Sequence, residues 1–91
     1  EWDLKEDSPG TIGFIVDGNQ VEKAKPGTKV EINIFMLSMP NNEVDKVTVY
    51  THYETSSQTE EVIQPDANGA YIFTMPIGHV TVVVSEKAKE S

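Results

Sequence analysis

Cysteine is absent from the 91 residues. No disulfide can staple the fold and no thiolate can hold zinc, so a hydrophobic core, with or without a bound ligand, has to hold the chain together. Positive charge is scarce as well: seven Lys and Arg face fifteen Asp and Glu, a net charge of −8. Such a surface repels a phosphate backbone and an anionic lipid surface, which argues against nucleic acid as a partner. No apolar run approaches the roughly 18 residues of a membrane span. The opening Glu1-Trp2-Asp3-Leu4 carries no signal-peptide pattern, and the chain reads as a segment of a longer polypeptide. Nowhere do apolar residues recur at i, i+3, i+4 and i+7 over three turns, so helix content should be near nil. Gly-x-Ser-x-Gly and His-Glu-x-x-His are both missing, and His52 and His79 fall in or beside strands. No nucleophile or catalytic metal is placed by such a pattern, and a non-enzymatic module is expected.

Alternating short apolar segments punctuated by turn residues fill most of the chain. Ile12, Phe14 and Val16 lead to Asp17-Gly18-Asn19, a hairpin signal, and a short strand should follow near Gln20 to Ala24. Pro26-Gly27 suits the centre of a type II turn, proline presetting φ and glycine taking the positive φ. From Lys29 to Leu37, Val30, Ile32, Ile34 and Met36 alternate with Lys29, Glu31 and Asn33, the period of a half-buried strand. Val44 to Tyr53 alternates again, a weaker strand is expected over 60–64, and Pro65 to Gly69 turns the chain back. Tyr71, Phe73 and Met75, then Val80, Val82 and Val84 around a Pro76 to Gly78 corner, make the strongest pair. Seven to eight short strands predict an all-β fold, an immunoglobulin-like β-sandwich or a partly closed barrel. One domain is expected over 11–84, with residues 1–10 a polar lead-in and 85–91 a polar tail.

The segment from Gly69 to Val82, glycine followed by Tyr71-x-Phe73-Thr74-Met75-Pro76, a glycine corner and Val80-Thr81-Val82, resembles the closing motif of bacterial surface repeats. Upstream, Ala24-x-Pro26-Gly27-x-x-Val30-x-Ile32, then Pro40 and Val47-Thr48-Val49, follow in the order those repeats show. Over about Thr11 to Val84 the chain is similar to divergent internalin-type B-repeats and related bacterial immunoglobulin-like (Big) domains of Gram-positive surface proteins. The resemblance implies an extracellular, monomeric module on the cell surface or wall, serving as a spacer or adhesion repeat between neighbouring domains. Its alternative implication is a carbohydrate-binding accessory of a secreted glycoside hydrolase. His79 stands where such repeats commonly carry an acidic residue. The motif itself is structural, and fold does not dictate function.

Two chemistries are written in the side chains. Asp66-x-Asn68 and Asp17-Gly18-Asn19 each offer two oxygen ligands in a tight turn, and Asp3 and Asp7 add carboxylates that could complete a Ca²⁺ shell if the loops converge. From Asp66 the twelfth position is Ile77, so no EF-hand glutamate is present. Against calcium, Asp and Asn occupy turns anyway because they tolerate left-handed backbone and bond their own main chain. Trp2, Tyr50, His52 and Tyr53 are the candidates for a stacking platform for a host glycan, with a host protein the other candidate ligand. Tyr50 and Tyr53 have opposite strand parity, so one regular strand would not present them on one face. An intramolecular Lys–Asn crosslink between Lys29 and Asn33 is disfavoured by their place on the polar side of a strand.

Overall fold

Turn chemistry and alternation build the architecture directly. In the computed structural model, which describes residues 1–89, Asp17 and Gly18 both have positive φ, at 51° and 81°, and Val16 pairs with Asn19. That is a two-residue type I′ hairpin joining β2 (Thr11–Val16) to β3 (Asn19–Val21). At Pro26-Gly27, Gly27 takes φ 88° and Thr28 N donates to Lys25 O at 3.2 Å, closing the expected turn. The remaining strands are β1 (Trp2–Glu6), β4 (Lys23–Ala24), β5 (Lys29–Met36), β6 (Asn42–Thr51), β7 (Thr59–Ile63), β8 (Tyr71–Thr74) and β9 (Val80–Ala88). The described residues contain no helix.

Among the described residues nine strands form two sheets, one ordered β4-β1-β9-β6-β7 and the other β3-β2-β5-β8. The sheets keep their outer edges and do not close, so of the two architectures expected it is the sandwich that forms. Ile12, Phe14, Val30, Ile32 and Phe73 from one sheet meet Leu4, Val47, Val49, Val80, Val82 and Val84 from the other. Met75, just past β8, is also buried, and its N–H donates to Thr28 O while its carbonyl accepts from Gly27 N, both at 2.8 Å.

Three expectations are corrected. The first ten residues are not a lead-in outside the fold: β1 pairs parallel with β9 (Leu4 opposite Val80) and antiparallel with β4 (Trp2 opposite Ala24), and Leu4 is 6% exposed. One buried leucine among carboxylates gives too little periodicity to read, and the preformed edge of β9 supplies what the local sequence lacks. The polar tail is likewise part of the sheet as far as Ala88, pairing with β6 up to Asn42, while residues 90–91 lie outside the described residues. Finally, the single strand expected over 20–24 is two strands in different sheets. Val21 pairs with Phe14 in one and Lys23 with Asp3 in the other, and Leu4 N donates to Glu22 O at 2.9 Å where the chain crosses.

Candidate functional site

β6 ends at Thr51, and the chain then makes two left-handed steps, His52 at φ 56° and Glu54 at φ 63°. For residues with a Cβ this backbone costs about 1–3 kcal/mol apiece and persists only where surroundings hold it. The surroundings here are specific. His52 N donates to His79 O at 3.2 Å, Thr55 N and Oγ1 both donate to His52 O at 3.2 and 2.6 Å, and Glu54 N donates to Gln58 Oε1 at 2.9 Å. The reversal folds Tyr53 back onto the sheet, so its ring lies 4.9 Å from that of Tyr50, tilted by 44°. Strand parity forbade this meeting only while the strand stayed regular, and the left-handed residue at position 52 ends that regularity.

Tyr53 reaches further, to β1's far end, where its hydroxyl donates to Asp7 Oδ2 at 3.2 Å. Partial burial, followed by the Asp7 hydrogen bond and the charges of Asp7 and Glu54 and the neighbouring Tyr50, raises the Tyr53 phenol above its ordinary value of 10.0. Beside this strap, His79 immediately precedes β9. Its Nδ1 accepts from Asp3 N at 3.1 Å and stands 3.5 Å from Asp3 Oδ2, while Trp2 meets the imidazole edge to face at 5.0 Å. Gly78 makes room for the other imidazole: a Cβ there would lie 2.7 Å from His52 Cε1, and its φ of 138° is one that L side chains rarely adopt.

Between the loop and the first strand opens a cleft of about 400 Å³. Asp3 and Lys5 of β1, Thr81 of β9, His79, and the loop residues His52 to Thr55 line it. Lys5, Thr81 and Tyr50 are cross-strand neighbours in one row, which is why the cleft floor is the outer face of the five-stranded sheet. A hollow of similar size at the opposite end, between Glu43 and Lys87 to Lys89, has no aromatic or imidazole lining. In the cleft the Tyr53 and Thr55 hydroxyls donate to Asp7 Oδ2 and His52 O, and His79 Nδ1 accepts from Asp3 N, so the lining offers hydrogen-bonding groups and ring faces.

The sequence-derived glycan candidates therefore come together in part. Tyr53 and His52 line the cleft, Tyr50 supports Tyr53, and Trp2 backs His79. The calcium candidates do not come together. Register places the Asp17 turn next to the Lys29–Thr74 end of its sheet, whereas the Asp66 turn precedes Tyr71, which pairs with Ile32 toward the other end. Asp66 Oδ1 accepts from Asn68 N at 2.8 Å and Ala70 N at 2.9 Å, an Asx turn that uses the carboxylate locally. Asn19 Nδ2 points back to Asp17 O at 3.5 Å, Asp3 faces His79 and Lys23, and Asp7 faces Tyr53. Among the described residues no group of three or more His, Asp or Glu side chains is arranged to hold an ion. Lys29 and Asn33 are both exposed, as their strand parity implies.

Sequence reasoning missed Lys5, Glu54, His79 and Thr81 as cleft residues, and it also missed a polar knot at the opposite end. There Glu86 accepts from Ser38 N (3.0 and 3.1 Å to its two oxygens), from Ser38 Oγ at 2.8 Å and from Asn42 Nδ2 at 3.1 Å. Partial dehydration opposes ionisation, but the hydrogen bonds from Asn42, Ser38 and Met39 outweigh it and lower the Glu86 carboxyl below its ordinary value of 4.5. A lone glutamate in a polar tail carries no signal of such a role. No protein family, curated protein or solved structure matches this chain.

Proposed function

We propose that this chain is a non-catalytic, extracellular immunoglobulin-like module of a bacterial surface protein, which spaces neighbouring domains and bears tension between them. The observation that carries the proposal is the parallel pairing of the first and last strands, Leu4 to Glu6 against Val80 to Val82. A chain threading the module thus arrives at the Val80 end of β9 and leaves at its Ala88 end, eight residues or roughly 26 Å away along the strand. Force applied through the two ends pulls β1 and β9 in opposite senses along their shared ladder, and the rungs are loaded together instead of one at a time.

The ladder continues past β1. Asp7 N donates to Val82 O at 3.0 Å, and the Ser8 hydroxyl then stands in for backbone, accepting from Val84 N at 2.9 Å. The Tyr71-x-Phe73-Thr74-Met75-Pro76 resemblance supports the same reading, since its apolar members are buried in the sandwich core or packed against it.

Single-molecule force spectroscopy on the chain, tethered near residues 1 and 89, tests this. One cooperative unfolding event is expected, and Ser8→Ala should lower its force, because forced unfolding is governed by the unfolding rate. An unfolding force unchanged by Ser8→Ala, or β1 peeling away in a separate low-force step, would overturn it.

A further inference from the structure

Among the described residues, the cleft beside the β6–β7 loop is where a hollow, two imidazoles, a tyrosine ring and two non-glycine residues in left-handed backbone coincide. We propose that this cleft binds an uncharged saccharide unit. Its volume of about 400 Å³ falls in the range of small-molecule sites. The lining is mixed in the way a sugar is mixed. Asp3 and Glu54 accept from hydroxyls, Lys5 donates, and Thr81 does both. The Tyr53 ring supplies an apolar surface for the C–H face of a pyranose.

The other ligand classes fit less well. An anionic ligand would face Asp3, Glu54 and nearby Asp7 against Lys5 and the nearby Lys23 that pairs with Asp3, in a chain of net charge −8. A purely apolar one would strand these charged groups without water. Neither Lys5 Nζ nor the Glu54 carboxylate is in an ion pair among the described residues, so both are free to meet hydroxyls. Hydrogen bonds from Thr55 to His52 O and from Glu54 N to Gln58 already hold the loop, which reduces the ordering cost of binding. The inference goes beyond the proposed spacer function and does not depend on its tension-bearing ladder, which needs no ligand.

The test is an NMR titration of the ¹⁵N-labelled full chain with four neutral disaccharides: cellobiose, lactose, maltose and N,N′-diacetylchitobiose. Glucuronate serves as anionic probe and choline as cationic probe. At least one disaccharide should give saturable shifts at the Asp3, Lys5, Glu54 and Thr81 amides, with a dissociation constant on the order of 1 mM. Tyr53→Ala should weaken it about fivefold or more, and so should Glu54→Ala, whose exposed side chain keeps the fold out of question. Ser8→Ala should leave it unchanged. The proposal is overturned if all four disaccharides leave those amides unmoved, if glucuronate or choline binds more tightly than each of them, or if Glu54→Ala leaves the affinity as it was.

Discussion

Replacing Leu4 with alanine tests whether the first strand belongs to the cooperative fold. Leu4 is 6% exposed and lies opposite Val80, which is fully buried, in the cluster that also holds Ala24 and Val82. Leucine to alanine removes three carbons, and at about 0.8 kcal/mol per buried CH₂ the transfer loss is about 2.4 kcal/mol. A residual cavity raises this to about 3 kcal/mol, near the low end of the core range because the strand lies only one place from the sheet edge and can partly collapse. For a domain of this size that lowers Tm by roughly 12–24 °C. Urea unfolding followed by far-UV circular dichroism and by the single tryptophan, Trp2, measures it with two probes, one reporting β1 itself. Lys5→Ala, an exposed neighbour, should change stability by no more than about 0.5 kcal/mol. A Leu4→Ala cost below about 1 kcal/mol, or a Trp2 transition well before the dichroism transition, would mean that β1 is not part of the folding unit.

Further outcomes follow from the same geometry. Glu86 has its folded-state pKa lowered, so the stability it contributes is present above 4.5 and is lost as pH falls through the depressed value. Glu86→Gln should flatten the acid limb of stability against pH while leaving the alkaline limb alone, which thermal melts across the acid range will show. Gly78→Ala should cost about 2–3 kcal/mol, since it combines an unfavourable φ with a clash against His52. In NMR spectra its largest shifts should fall at His52 and Tyr53. Asp66→Ala should lose about 1–2 kcal/mol by removing the carboxylate's two hydrogen bonds to backbone N–H groups, and by equal amounts with millimolar Ca²⁺ or with chelator. A calcium-dependent difference between those two melts would show that Asp66 ligates an ion.

Much of the scaffold was legible in one dimension. Val30 and Ile32, Val47 and Val49, and Val80, Val82 and Val84 alternate in sequence and are buried, because a strand turns successive side chains to opposite faces. Asp17-Gly18 and Pro26-Gly27 name their turns because φ at a glycine and at a proline is decided locally. Asp66 bonds its own loop for an equally local reason, and its turn-forming role could be foreseen from residue type.

The tertiary structure alone decided what depends on distant partners. Trp2 to Glu6 is a strand because β9, some 76 residues later, offers it an edge, and no period within five residues could announce that. Tyr53 joins Tyr50 because His52 is held left-handed by the His79 carbonyl and the Thr55 side chain, a strain that side-chain parity cannot foresee. The cleft gathers Asp3, Lys5, His52, Glu54, His79 and Thr81 from three separate stretches of chain, and Glu86 finds Ser38 across 48 positions. Periodicity and turn chemistry are properties of neighbours along the chain and therefore determined an all-β chain of short strands, while the choice of sandwich over barrel and the site are properties of neighbours in space. The first strand, which this sequence left polar, is paired by the folded sheet with the apolar start of the last, and the cleft opens beside their pairing.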